Sequence, residues 1–533
     1  MVQKRILSFS LIVSSLVFLS ATSFAKEYVV GFQKGHFETA NTKMQFLSSQ
    51  PVQIHKNLEL MVVDVDSRAD LIKLQTEMGV KFVEALTTLK APPKIHSRAL
   101  DSYTAPSKGL VKYPWGILEL DAPAAWRMSK AGEGVKVLVL DTGIDKEHPN
   151  IAARFVEGRN LITETENPDL PYSYFDQAGH GTHVAGTILA DGLGAGVVGV
   201  APSASLYVGR VCGDEGCPGS AILAGVEWAI EAQMDVVNMS LGGSFGSEAG
   251  AQVYKRAEEA GVVIVAASGN DGQNSISYPA KYPSVLSVGA IDIDLNVADF
   301  SNYDEDLDVV APGVDVLSSV PQGTGRGGSA SFSTAASVIN TEVFVIDGSV
   351  DGMINGKSLV YVGLGLESDY QGLDLSGKVA LVQRGEIAFA DKAKGALEAN
   401  AEAVIIFNNV DEPLRATFGD ALEIVAVSMS MKDGMKLVQN LAPSEDGAAA
   451  GEVLANIDVS ATDYGALQGT SMATPHVTGL VALVIATNPN LNPIEVKDIV
   501  KNSALAAPEN TEKEKYGLGI VNAYRAVEAA ANN

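Results

Sequence analysis

Val137-Leu138-Val139-Leu140-Asp141-Thr142-Gly143 is a run of branched apolar residues that ends in a carboxylate and a turn. A run of this length without polar alternation reads as a strand buried on both faces, as in parallel sheets. The strand is expected from Val135 to Leu140, and similar runs follow at Ser205 to Val211, Val236 to Ser240, Val262 to Ser268 and Val285 to Ala290. Helical patterning separates them at Thr182 to Ala190, Ser220 to Glu231 and Glu248 to Ala260. This alternation from Tyr113 to Gln322 predicts an α/β fold with a doubly wound, mostly parallel sheet. Ligands bind beyond the carboxyl ends of the strands in such sheets, which sets Asp141, Ser240 and Asn270 along one edge.

The flanks of this frame have their own patterns. Residues 1–25 read as a secretory signal, with Lys4 and Arg5 ahead of the apolar run Ile6 to Leu19 and a small residue, Ala25, at the expected cut. Residues 26–107 read as a small α/β unit, with strands at Glu27 to Phe32 and Leu58 to Val65 and a helix at Ala69 to Met78. Ala91-Pro92-Pro93 and Thr104-Ala105-Pro106-Ser107 mark an exposed linker open to proteolysis. The frame itself, residues 108–328, breaks at Gln322 to Gly328, and an insertion is expected over residues 329–459. The insertion carries strands at Val343 to Ile346, Val379 to Gln383 and Ala403 to Asn408 and a helix at Ala390 to Ala399, enough for a separate core. The frame resumes over residues 460–533, with a helix near Pro493 to Asn502 and no C-terminal appendage expected.

Composition sets the class. With 533 residues, 46% of them apolar and 19% charged, the chain has enough apolar material for several packed domains. Its formal charge of −26 argues against nucleic acid and against an anionic membrane surface, both of which attract cationic proteins. Cys212 and Cys217 are the only cysteines, and their closeness in an exported chain favours a local disulfide over a metal pair. So short a loop gains only about 2 kcal/mol in the chain-entropy view, so the bond serves to fix a surface loop.

Gly469-Thr470-Ser471-Met472-Ala473-Thr474-Pro475-His476 sets a serine after a glycine turn and before an apolar helical run. A helix N-terminus favours developing negative charge, which suits an attacking oxygen; the plainer reading of such a serine is an N-cap. Serine chemistry also needs a base and a carboxylate that orients it. Of the seven histidines, His36, His55 and His96 fall in the N-terminal unit. Gly179-His180-Gly181-Thr182-His183-Val184-Ala185-Gly186 is the informative stretch, because its small residues permit close backbone approach where a helix begins. His180 is the candidate base, whereas His183, His148 and His476 read as core residues. Asp141, at a buried strand end, is the candidate orienting carboxylate, and Asp145 reads as a turn support. Asp-Thr-Gly also occurs where two carboxylates share a proton, but a second copy is absent.

Asp141-Thr142-Gly143, His180 to Gly186 and Gly469 to His476 resemble, in order, the three signatures of subtilisin-like serine proteases. The resemblance spans about Pro114 to Gln322 and Tyr464 to Val527, and implies a subtilisin-like fold and a secreted endopeptidase, extracellular or periplasmic, that acts through an acyl-enzyme. It implies Ser471 as nucleophile, His180 as base, Asp141 as its partner, and Asn270 with the Ser471 amide as oxyanion donors. Ser240-Leu241-Gly242-Gly243 resembles the family's substrate-binding strand, faced by Gly213 to Pro218, so a peptide would add as a β-strand. The small-residue walls imply a preference for bulky apolar side chains before the cut, with Asp271 as the acidic residue nearby.

The resemblance also gives roles to the flanks. The N-terminal unit resembles the family's inhibitory propeptide, with maturation between about His96 and Leu110. The insertion resembles a protease-associated domain, most visibly at Leu375 to Gly385, Phe389 to Ala393 and Val404 to Asn409, and is expected to restrict or help bind protein substrates. A monomer that needs no cofactor is expected. Many relatives bind calcium in the loop after the histidine helix, here Asp191 to Val197; Asn150 and Asp191 offer oxygens, but Leu193 stands where a side-chain amide is needed. Met472, beside the nucleophile, is expected to be open to oxidation. Two other classes compete. One is a zinc hydrolase on His180 and His183, which lacks the glutamate of His-Glu-x-x-His; the other is a binding protein on a vestigial protease frame.

Overall fold

The computed structural model describes residues 27–33, 35–38, 51–65, 67–76, 79–92, 111, 113–162, 172–193, 196–410, 414, 416–442, 451–509 and 511–533. The expected signal and the expected maturation segment lie outside the described residues. The chain divides into a small unit, residues 1–54 and 60–86, and a large one, residues 55–59 and 87–533. In the small unit, Glu27–Phe32, Leu60–Asp64 and Val80–Ala85 form the middle and one side of a four-stranded sheet, with Glu27–Phe32 antiparallel to both neighbours. Tyr28, Val30, Met61, Val63 and Leu74 of the helix Arg68–Thr76 make its core.

The large unit is built on a seven-stranded sheet. Its strands in chain order are β1 (Lys136–Asp141), β2 (Phe155–Asn160), β3 (Ser205–Arg210), β4 (Val236–Met239), β5 (Val263–Ala267), β6 (Val285–Ile291) and β7 (Val309–Pro312). They lie in the order β7-β6-β5-β4-β1-β3-β2, and every neighbouring pair is parallel. Five of these are the strands expected above. β2 was hidden because it is a half-exposed edge strand carrying Glu157 and Arg159, and β7 because it is only four residues long and ends in proline. From β1 the chain goes to the edge strand β2, returns to β3 between the two, and then crosses to β4 on the other side of β1. The crevice between β1 and β4 is therefore the topological switch point, where a ligand site is favoured.

Side chains alternate across β1. Val137 and Val139 face the cluster that contains the helices His180–Leu189 and Thr470–Thr487, whereas Leu140 packs on the opposite helix at Gly225. Two residues beyond Val139, Asp141 must share its face, so the strand's period alone turns the carboxylate toward the histidine helix. The helix Thr470–Thr487 is long and apolar enough to cross a membrane, yet 78% of it is buried inside the protein, as a core helix requires.

The insertion is an eight-stranded sheet with an apolar cluster on each face. Its first strand, Gly325–Ser333, runs antiparallel to its last long strand, Leu454–Thr462, over their whole lengths. The next pair inward, Val316–Ser319 with Tyr464–Leu467, continues the clasp. The chain therefore leaves the frame and returns to it side by side. An insertion whose ends are held together in this way leaves the start of the following helix in place.

Candidate active site

Asp141 is fully buried at the carboxyl end of β1. Its Oδ1 accepts from the Thr142 amide at 2.7 Å and lies 2.8 Å from His180 Nδ1. A carboxylate facing that nitrogen fixes the tautomer: Nδ1 carries the proton and Nε2 is the basic nitrogen. His180 is the first residue of its helix, and the helix starts directly on the loop after β1, for a Cβ on Gly181 would lie 2.2 Å from the Gly143 carbonyl. That approach requires glycine at 181, and Gly143 is required by its φ of +123° and by the Tyr174 carbonyl, 2.5 Å from where its Cβ would stand. Burial pulls the His180 pKa down, but the charge and hydrogen bond of Asp141, helped by Asp176, outweigh it and hold the ring above its ordinary value of 6.5. His180 Nε2 has no hydrogen-bond partner among the described residues.

Ser471 arrives from the far side of the insertion in the first turn of the helix Thr470–Thr487. Pro475 sits four residues on and has no N–H, so the Ser471 carbonyl lacks its helical donor. The Ser240 hydroxyl supplies one instead, at 2.7 Å, while the Ser471 hydroxyl donates to the Ser240 carbonyl at 3.1 Å. Ser240 lies just past β4 and Asp141 at the end of β1, so the switch-point crevice brings the serine and the His–Asp pair to one place. The hydroxyl is turned toward Ser240 rather than His180.

Asn270 flanks the same helix start. Its Oδ1 accepts from Thr470 N at 2.8 Å and Thr470 Oγ1 at 2.9 Å, which leaves its NH2 as the outward donor. The Met472 and Ala473 amides donate to the Gly469 carbonyl, so the Ser471 amide is the unengaged first-turn donor among the described residues. Gly469 holds φ at +148°, which a side chain would strain. An anion lying over Ser471 would meet two N–H donors, the requirement for an oxyanion hole.

The walls of the cleft are partly committed. Ser240 and Leu241 are buried, and Gly243 exchanges both backbone hydrogen bonds with Tyr278, at 2.9 and 2.8 Å. Facing them, Cys212 and Cys217 form a disulfide across the Gly213–Gly216 turn. Thr88–Leu89 of the chain itself pairs antiparallel with Cys217–Pro218, and Leu89 Cδ2 lies 2.9 Å from where a Cβ on Gly243 would stand. Farther along, Ala91 and Pro92 line a cavity of about 280 Å³ with Thr142, Gln177 and Arg210.

His183, His476 and His148 are structural in their bonding. His183 Nε2 faces the carbonyls of Val316 at 2.8 Å and Gly465 at 3.2 Å, and so carries the proton. Burial, with the nearby His180, lowers its pKa to about 3. His476 Nδ1 donates to the Met472 carbonyl at 2.9 Å, and His148 Nε2 to that of Asp463 at 2.9 Å. Asp145 Oδ1 accepts from the Glu147 amide, the turn support expected of it. Among the described residues no three His, Cys, Asp or Glu side chains converge as a metal site. Around the loop after the histidine helix, Asn150 Oδ1 accepts from the Tyr464 hydroxyl at 2.7 Å, Asn150 Nδ2 donates to the Leu193 carbonyl and Asp191 Oδ1 accepts from Leu193 N. These bonds engage both ends of the Asn150 amide and one oxygen of Asp191, whereas Asp191 Oδ2 is buried without a hydrogen-bond partner among the described residues. Met472 is 2% exposed and packs in the main core, so the expected oxidation requires the site to open.

Comparison with known proteins agrees with this geometry. The subtilase family model matches residues 132–343 and 416–519, and the PA domain model matches residues 355–437. The chain belongs to the subtilase family. It is 36% identical to subtilisin NAT of Bacillus subtilis subsp. natto over 312 residues, 57% of this chain and 75% of that protein. It is 41% identical to an alkaline protease of Shouchella clausii over 315 residues, 57% of this chain and 77% of that protein. The crystal structure of a psychrophilic subtilisin-like protease from an Antarctic Pseudoalteromonas superposes with a TM-score of 0.60 at 26% identity, covering 79% of this chain and 99% of that one. This subtilase is a serine endopeptidase acting on protein or peptide substrates, with a PA domain inserted in its catalytic frame.

Two features of the subtilase's site escaped the sequence reading. Ser240 acts through its hydroxyl on Ser471, which nothing in Ser-Leu-Gly-Gly announces. Asp176, four residues before His180, is fully buried and bonded to both motif loops. An acidic residue just ahead of a helix start was the available signal for it.

Proposed function

We propose that Ser471 attacks the peptide carbonyl while His180 Nε2 takes its proton, Asp141 holds the resulting imidazolium, and Asn270 with the Ser471 amide binds the oxyanion. The imidazolium then protonates the leaving amine, and water repeats the sequence to hydrolyse the acyl-enzyme. Side chains and backbone amides carry every step. The 2.8 Å His180–Asp141 pair at the switch point, with Ser471 held there by Ser240, carries this reading.

The enzyme is exported as a precursor and works as a monomer whose N-terminal residues inhibit it until they are cut away. Thr88–Leu89, paired as a strand on the cleft wall, supports both inhibition and the binding of peptides by strand addition. The apolar contact of Leu89 at Gly243 and the uncharged Leu241–Gly242 wall support a preference for bulky apolar residues before the cut. The PA domain restricts or helps bind protein substrates. Ser471→Ala, expressed in a host without other proteases, is expected to stay at precursor length and to cleave no peptide; normal maturation of that variant overturns the reading.

A further inference from the structure

Asp176 carries a buried charge that the reaction as described leaves unused. Its Oδ1 accepts from Thr142 Oγ1 at 2.8 Å, Gly179 N at 2.8 Å and Ala178 N at 3.2 Å; its Oδ2 accepts from Thr182 N and Thr182 Oγ1, both at 2.7 Å. No cation is among these partners, so the charge is solvated by donors and not cancelled. Burial, with the nearby Asp141 charge, holds the carboxyl above its ordinary value, while the Thr182 and Thr142 hydrogen bonds pull it down toward the charged form.

The partners show what the carboxylate joins. Gly179 is the N-cap of the histidine helix and Thr182 lies in its first turn, where a negative charge is favoured. Thr142 follows Asp141; its amide binds Asp141 Oδ1 and its hydroxyl, besides donating to Asp176, accepts from Gly181 N at 2.9 Å. One side chain thus ties the strand end that bears Asp141 to the helix start that bears His180. The charged and titratable groups around that ring are Asp141 on β1, Asp176 ahead of the helix, His183 one turn along it, and Arg210, which is paired in register with Asp141 on β3.

We propose that Asp176 is a positioning residue for peptide hydrolysis, one that fixes the Asp141–His180 pair and whose uncancelled charge favours the imidazolium formed when Ser471 gives up its proton. It rests on the roles proposed above for His180 and Ser471. His180, pulled down by burial, is raised chiefly by Asp141 and secondarily by Asp176, in keeping with the geometry.

The test is the pH profile of kcat/KM for Asp176→Asn beside wild type and Thr182→Val. Asp176→Asn is expected to lose about tenfold in kcat, with KM unchanged, and to move the acid limb down by about half a pH unit. Thr182→Val keeps the charge, so its melting temperature falls while its acid limb stays in place. A folded Asp176→Asn enzyme with an unmoved acid limb and unchanged kcat makes Asp176 a structural cap and overturns the proposal. Where Asp176→Asn does not fold, Thr142→Val decides: a lower kcat at constant KM supports the tie, and an unchanged kcat overturns it. Activity that survives Ser471→Ala contradicts the site itself, whereas an active wild type with an unmoved Asp176→Asn profile contradicts only the role of Asp176.

Discussion

Ser240 and Ser471 bind one another twice, hydroxyl to carbonyl in each direction, at 2.7 and 3.1 Å. The first of these bonds exists because Pro475 cannot donate to the Ser471 carbonyl. Behind it, Asn238 Nδ2 donates to the Ser240 hydroxyl at 3.0 Å, and Thr478 Oγ1 donates to Asn238 Oδ1 at 2.9 Å. A buried polar chain therefore runs from the serine helix through β4 and back to the serine.

Ser240→Ala leaves the Ser471 carbonyl and the Asn238 amide without a partner. The loss of two buried hydrogen bonds costs about 1–3 kcal/mol of stability. Denaturant titration is expected to show that loss, and kcat is expected to fall by about tenfold as Ser471 loses its anchor. Stability equal to wild type contradicts the role given to Ser240.

Asn270→Ala removes a side-chain donor from the oxyanion. A decrease in kcat of about 10²–10³, with KM nearly constant, is expected in steady-state assays with a peptide substrate. A rise in KM alone would place Asn270 in substrate binding instead.

The acid limb of kcat/KM reports the proton on His180, which must be absent for the ring to act as a base. Because Asp141 outweighs burial, the limb is expected above the ordinary imidazole value of 6.5. The stability sign is the opposite: the raised pKa stabilises the fold fully below 6.5, and that contribution is lost as pH rises through the folded value. Asp141→Asn is expected to move the limb down and to lower kcat.

His183 and His476 act in the other direction, with pKa values lowered by burial to about 3 and about 4. Each is neutral when folded yet takes a proton near 6.5 when unfolded, so the stability it contributes is present above 6.5 and lost as pH falls toward the folded value. Melting temperature is expected to fall as pH drops from 6.5 to 4. Replacing His476 with glutamine is expected to flatten that slope.

Much of this was legible before the structure. The period of β1 and the glycines at 143 and 181 carry local information, so Asp141 and His180 could be paired from sequence. The five interior strands are predominantly apolar runs and were equally plain; β2 and β7 were hidden by exposure and by shortness. The Ser240–Ser471 bonds link positions 231 residues apart, and no local pattern encodes such a pair. Met472 differs from its expected accessibility for a related reason: its neighbour in sequence faces the cleft, but the helix turns Met472 into the core. The Asn150–Tyr464 bond joins the frame across the insertion, so the bonding around the loop after the histidine helix could not be read from that loop alone.

The most direct measurement is labelling of the purified enzyme with a serine-directed organofluorophosphate, read by peptide mass spectrometry alongside Ser471→Ala. The adduct is expected on Ser471 of the active enzyme, with loss of peptidase activity in step with labelling, and the variant is expected to remain unlabelled. An adduct on another residue, or peptide cleavage that persists in purified Ser471→Ala, contradicts Ser471 as the nucleophile.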